Sequence, residues 1–205
     1  SLLSPTYRSL DEDPTKYMVK GLGALHYGVE IEGWYNFSRR VRLDAFASLG
    51  NWRWVGDVTA VLYDPYSMKP MGNVNVYADG LHVGDAPQTQ VGASLRAKVA
   101  KSLELRCEWN YNDRLWADFD PVGRTRADDR SDSYRIPAYH LVNAGATWTG
   151  KLLGQSVVLF VNGNNLTNAL YVERSKDGAA HDRKTFTGYW GNTRNVNFGI
   201  RIDIR

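Results

Sequence analysis

The chain closes on Asn195 to Arg205, N-V-N-F-G-I-R-I-D-I-R. Val196, Phe198, Ile200, Ile202 and Ile204 take every second position, and Asn195, Asn197, Gly199, Arg201, Asp203 and Arg205 fill the gaps. Successive side chains of a strand point to opposite faces, so the segment has one apolar face and one polar, charged face. A tilted strand needs roughly 9–11 residues to cross a bilayer core, and this stretch has that reach. Taken alone, it fits equally well on a soluble sheet buried on one side. Recurrence of the pattern has to decide.

The pattern recurs along most of the chain. Tyr27, Val29, Ile31, Gly33, Tyr35 and Phe37 oppose Gly28, Glu30, Glu32, Trp34 and Asn36. Val41, Leu43, Ala45, Ala47 and Leu49 oppose Arg42, Asp44, Phe46 and Ser48. Val91, Ala93, Leu95, Ala97 and Val99 oppose Gln90, Ser94, Arg96 and Lys98, and after a tight turn Leu103, Leu105, Cys107, Trp109 and Tyr111 oppose Glu104, Arg106, Glu108 and Asn110. Tyr139 to Thr149 alternates again, with His140, Val142, Ala144, Ala146 and Trp148 on one face, and Val157 to Asn164 follows a short turn. Ser1 to Ser9 reads as the tail of a further strand and Leu10 to Thr15 as an acidic loop. Asn51-Trp52-Arg53-Trp54 closes a strand with aromatics, as an interfacial girdle does, or as a small soluble cluster does. Val55 to Asp85 reads as irregular, with a small hairpin of Val74–Tyr77 and Leu81–Val83 around the Asp79-Gly80 turn.

Short turns near residues 38, 101 and 152 alternate with long connections, including loops at 56–86, 118–134 and 172–191. In a meander that alternation collects the long loops at one end and the short turns at the other. Outer-membrane barrels sort their loops in this way, which makes the long ones extracellular. The expected fold is therefore all-β, an antiparallel meander of about eight transmembrane strands. No apolar run approaches the 18 residues of a membrane helix, and a mean hydropathy of −0.43 suits strands whose second face meets water. The formal charge of +3 is small and the basic residues are interspersed with acids, so no nucleic-acid partner is implied. The single cysteine, Cys107, excludes an intrachain disulfide or a cysteine metal cluster.

Several motifs occur together: G-L-G-A-L-H-Y-G-V-E-I-E from Gly21, L-G-N-W-R-W from Leu49, D-G-L-H-V-G-D-A-P-Q from Asp79, W-A-D-F from Trp116, I-P-A-Y from Ile136, and V-N-G-N-N-L from Val161 with Tyr171 five residues on. In order and spacing, across nearly the whole chain, these resemble the C-terminal part of a TonB-dependent outer-membrane receptor of the kind common in Bacteroidetes. The resemblance implies the last third of a barrel of about 22 strands with an internal plug. It places the chain in the outer membrane of a Gram-negative bacterium, with membrane lipid and lipopolysaccharide around it. It also implies a plug domain and a TonB box in a part of the receptor that this chain does not include. The implied function is active import of a scarce nutrient such as a ferric siderophore, haem, cobalamin or a glycan, with no cofactor. The family usually ends in an aromatic residue; this chain ends in Arg205, so one further aromatic residue, or a divergent assembly signal, is expected.

No catalytic signature is present: there is no G-x-S-x-G, H-E-x-x-H or P-loop, and the chain is not expected to be an enzyme. Asp128, Asp129 and Asp132 lack the glycine and terminal glutamate of an EF-hand loop and read as a solvated loop. Ligand contacts are expected from loops on a rigid scaffold. Candidates are Arg124, Arg126 and Arg130 in one loop and His181, Arg183, Lys184, Tyr189 and Trp190 in another, suited to anionic chelates or sugars. Glu30, Glu32, Arg96, Arg106, Glu108, Arg201 and Asp203 are expected to face the lumen, pairing with one another or with the plug. Two other readings fit the pattern: a self-contained small barrel with a structural or adhesion role, and a soluble, aromatic-rich sandwich that binds carbohydrate.

Overall fold

Apolar and aromatic residues at every second position suit a pleated surface with one face out of water, and they carry the strands here. The computed structural model describes residues 2–6, 15–64 and 66–203. Its strands are β1 (Leu2–Thr6), β2 (Thr15–Val19), β3 (Gly23–Asn36), β4 (Val41–Val55), β5 (Val58–Tyr63), β6 (Pro70–Val76), β7 (Thr89–Ala100), β8 (Leu103–Asp113), β9 (Leu115–Trp116), β10 (Arg135–Ile136), β11 (Tyr139–Leu152), β12 (Gln155–Asn164), β13 (Val172–Lys176), β14 (Thr187–Trp190) and β15 (Asn195–Asp203). The described residues contain no α-helix, only a short 3-10 turn at Pro121–Gly123.

Seven strands form one antiparallel meander in the order β15-β12-β11-β8-β7-β4-β3. Residues paired across antiparallel strands share a face, so register decides what each face becomes. Tyr35, Leu43, Leu95, Cys107, Ala144, Gly163 and Val196 stand in one row across all seven strands. The adjacent row, on the opposite face, is Asn36, Arg42, Arg96, Arg106, Gly145, Asn162 and Asn197. A slip of one residue in any pair would mix the two faces. Three arginines lie side by side in the polar row, an arrangement that repels unless neutralised. Asp44 takes both Arg42 (2.5 Å) and Arg96 (3.1 Å), and Glu108 lies 3.5 Å from Arg106.

The apolar face is uncovered. Ile31 is 68 % exposed, Ile200 59 % and Phe198 87 %. The two buried apolar clusters lie in the connections: one joins Ala60, Val76, Ala78, Leu81 and Phe119, the other Leu115, Ala117, Ile136 and Val172. The short turns are compact. Between β11 and β12 only Leu153 (φ 51°) and Gly154 (φ 81°) remain, the left-handed pair that a two-residue hairpin requires.

Three sequence expectations change: the strand count, the Asp79-Gly80 hairpin and the Trp52–Trp54 girdle. The count in the main sheet is seven rather than about eight, because β1 pairs with β2 in a separate four-stranded sheet, β1-β2-β5-β6. The sheet is open, with β3 and β15 at its edges. The Asp79-Gly80 turn is present, yet its flanks do not pair with each other. β6 returns to β5, and residues 80–83 bond to the end of β4 through Gly80 N–H to Trp54 O (3.0 Å), Trp54 N–H to Leu81 O (2.8 Å) and Val83 N–H to Trp52 O (3.0 Å). Trp52 and Trp54 share the polar-face parity of β4, so they do not join an outward girdle; Trp52 stacks on His26 (5.3 Å) and Trp54 meets Phe119 edge-on (6.0 Å) under the loops. The acidic loop expected over Leu10 to Thr15 and the final position Arg205 fall outside the described residues, apart from Thr15 at the start of β2.

Candidate functional site

The long connections 56–88, 114–138 and 165–194 all leave the main sheet at the same end, opposite the short turns. They fold onto one another. Lys176 pairs with Asp118, the Asp118 N–H donates to Ser175 O (3.1 Å) and the Ser175 N–H donates to the Asp85 carboxylate (3.1 Å). His82, 7 % exposed, stacks on Trp116 at 3.7 Å with an interplanar angle of 5°. Its backbone N–H and its Nδ1 each lie 2.9 Å from the Asp132 carboxylate. Burial pushes the His82 imidazole pKa down, and the neighbouring carboxylate opposes that shift. Gln88 is buried where the loops meet the main sheet; it accepts from the Trp52 N–H (2.8 Å) and donates back to Trp52 O (3.1 Å).

Arg124 sits at the centre of the package. It is 2 % exposed and pairs with Asp177 at 2.8 Å. Its other hydrogens go to Ser131 O (2.7 Å) and Ser133 Oγ (3.2 Å), and its guanidinium lies 5.8 Å from the Phe119 ring. His181 bridges Asp177 (2.5 Å) and Asp129 (2.9 Å), and the Tyr134 N–H donates to Asp177 (3.0 Å). The hydrogen bond from His181 holds the Asp129 carboxyl below its usual range. Arg124 and His181 therefore tie the second loop to the third and are not open to a ligand.

The remaining candidates divide by what they touch. Arg130 grips Asp57 with two nitrogens (2.7 and 2.8 Å) and lies over the Tyr77 ring (5.2 Å). Arg126 is exposed and paired with Asp128 at 2.7 Å. Asp182 accepts the N–H groups of Lys184 and Thr185 (3.0 Å each), forming a turn that presents Arg183 and Lys184 to solvent. On β14, Tyr189 is 78 % exposed and Trp190 66 %. The exposed set is thus Arg126, Arg130, Arg183, Lys184, Tyr189 and Trp190, with Arg126 and Arg130 each held by a carboxylate.

On the polar face of the main sheet, Glu32, Trp34, Arg42, Asp44, Phe46 and Glu108 line an open recess of about 440 Å³. Arg42 stacks 5.4 Å from the Trp34 ring, and Ser48 Oγ donates to Glu30 (3.2 Å). Glu30, Glu32, Arg96, Arg106, Arg201 and Asp203 are exposed on this face and Glu108 is half-buried. Among the described residues no group of three or more His, Cys, Asp or Glu is arranged to hold a metal ion. Chemically, the loop package offers exposed cations and aromatic rings, and the polar face of the main sheet offers paired charges.

Comparison with protein-family models, curated proteins and solved structures found no match.

Two substitutions probe the package. The Arg130 guanidinium beside Asp57 lowers that carboxyl from 3.8 to about 2. A depressed carboxylate stabilises its contact above the unpaired pKa, and the contribution is lost as pH falls through the paired value. Pepsin cleavage within 56–88 should therefore stay slow down to pH about 4 and rise as pH falls toward 2. In Asp57→Asn the part of that rise due to this pair should be missing. At Gly84 a Cβ would lie 2.6 Å from both the Asp118 Cα and N, where two loop backbones touch. Gly84→Ala should cost about 1–3 kcal/mol of loop packing, read as faster exchange of the Asp85 and Asp118 amides.

Proposed function

We propose that this chain is a segment of the wall of an outer-membrane β-barrel, of the TonB-dependent receptor type that its motifs resemble. The supporting observation is the apolar face, kept in register across seven strands and uncovered, with charge on the reverse. A soluble protein rarely exposes apolar patches beyond a few hundred Å², and a sandwich would bury this face under a second sheet. Among the described residues no such sheet lies over it. In hydrocarbon the same face is solvated, while the charged face lines water.

Unpaired strand edges are not tolerated in lipid. The open edges at β3 and β15 therefore require further strands, which fits a larger barrel whose remainder includes the plug and the TonB contact. The role of the segment is to form a gateway, with Arg183, Lys184, Tyr189 and Trp190 facing an arriving anionic chelate or glycan. Separation of inner from outer membranes in cells making the native protein tests this. Recovery in the outer-membrane fraction after a urea wash is expected, and recovery in a soluble fraction would refute it. Uptake of the nutrient should further stop when the proton-motive force is dissipated.

A further inference from the structure

The three short turns share a chemistry that the long connections lack. Segments 37–41 (F-S-R-R-V), 99–103 (V-A-K-S-L) and 150–156 (G-K-L-L-G-Q-S) contain four cations, Arg39, Arg40, Lys101 and Lys151, and no carboxylate. The hairpins β3/β4, β7/β8 and β11/β12 run in the same sense, so all three turns lie at one rim of the sheet. Neighbouring strands are about 4.8 Å apart, which sets successive turns about 10 Å apart along that rim. All four cations are exposed and none forms an ion pair with a carboxylate among the described residues, although Glu104 lines the same two recesses as Arg39, Arg40 and Lys101. Ser38 Oγ accepts the N–H groups of Arg40 and Val41 (3.1 Å each) and fixes the turn that carries both arginines. The long connections instead mix cations with carboxylates: Arg124, Arg126 and Arg130 are each matched to one, while Arg183 and Lys184 are not among the described residues.

Close to these cations in sequence stand exposed apolar residues at the same end of the sheet. Phe37 is 61 % exposed, Val99 51 %, Leu152 60 % and Leu153 95 %. An apolar group beside a cation on a long stem suits the boundary between acyl chains and headgroups, where the stem lies along apolar surface and the charge reaches outward. Inorganic phosphate would use the cations and leave the apolar residues in water.

We propose that the short-turn rim binds the phosphate headgroups of anionic phospholipids in the leaflet at that end of the wall. The inference rests on the membrane-wall reading and adds a lipid class and four named contacts. Each Lys or Arg near an anionic surface strengthens association about five-fold. Native mass spectrometry of the native protein that carries this segment, in detergent with equal phosphatidylglycerol and phosphatidylcholine, reads the preference directly. The wild type should retain phosphatidylglycerol over phosphatidylcholine by about five-fold or more. The combined variant R39Q/R40Q/K101Q/K151Q should approach parity, while R183Q/K184Q at the opposite end should keep the wild-type ratio. Equal retention by the wild type, an unchanged ratio in the rim variant, or an equal loss in R183Q/K184Q would overturn the rim site. A chain that takes up neither lipid and stays monodisperse in water without detergent would instead remove the wall itself, and the rim with it.

Discussion

Leu95→Arg and Ile200→Arg are each expected to destabilise the folded wall by ~2–4 kcal/mol in lipid, while Ser94→Arg costs far less. Leu95 lies on β7 between Leu43 and Cys107, in the apolar row that crosses all seven strands. Ile200 lies on β15 opposite Leu159. A guanidinium at either position would stand in hydrocarbon, forced to drag water inward or to bend toward an interface. Ser94 is one residue from Leu95 and points the other way, between Asp44 and Glu108, where a new cation meets carboxylates. Urea titrations in vesicles compare the three. Equal losses at positions 94 and 95 would contradict the assigned faces.

Arg124→Ala is expected to open the loop package at a cost of about 3–5 kcal/mol, since it strands the Asp177 carboxylate in a buried site. Asp177 is left with His181 and the Tyr134 N–H, while Ser133 Oγ and Ser131 O lose their donor. Asp177→Ala should cost a similar amount from the other side. The double variant Arg124→Met with Asp177→Leu should be much milder, because it removes both charges together. Hydrogen exchange across 118–134 and 172–191 reads all three, and the wall strands should stay protected in each. Near-wild-type exchange in Arg124→Ala would mean that the pair does not hold the loops.

The wall strands were legible in the sequence because a two-residue period repeated over many residues leaves one solution for the faces. The register was not, since a slip of two residues keeps every apolar position on the same face; the structure sets Tyr35 against Leu43 and Leu95 against Cys107. The loop package was not legible. Arg124 and Asp177 are 53 positions apart, and both sit in aperiodic polar stretches. Basic residues in such a stretch look like ligand contacts until their partners are seen. In the sequence Gln88 stands out only as part of a motif, because a buried carboxamide that satisfies the Trp52 backbone leaves no local pattern. The six residues of β5, V-T-A-V-L-Y, read as loop because their partners, β2 and β6, lie on either side in sequence and show no sustained alternation. The Trp52 and Trp54 girdle failed for a parity reason. Even positions of β4 face the polar side, and that parity outweighs the general preference of Trp for interfaces.

Alternate solvents on alternate residues can be measured one position at a time. In a Cys107→Ser background, spin labels placed singly at Ala93, Ser94, Leu95, Arg96, Ala97 and Lys98 of β7, with the protein in lipid vesicles, report collisions with oxygen, which concentrates in hydrocarbon, and with a nickel chelate confined to water. The wall predicts opposite phases, oxygen highest at 93, 95 and 97 and the chelate highest at 94, 96 and 98. Collision rates that rise and fall together along the strand, or oxygen maxima at the even positions, would contradict it.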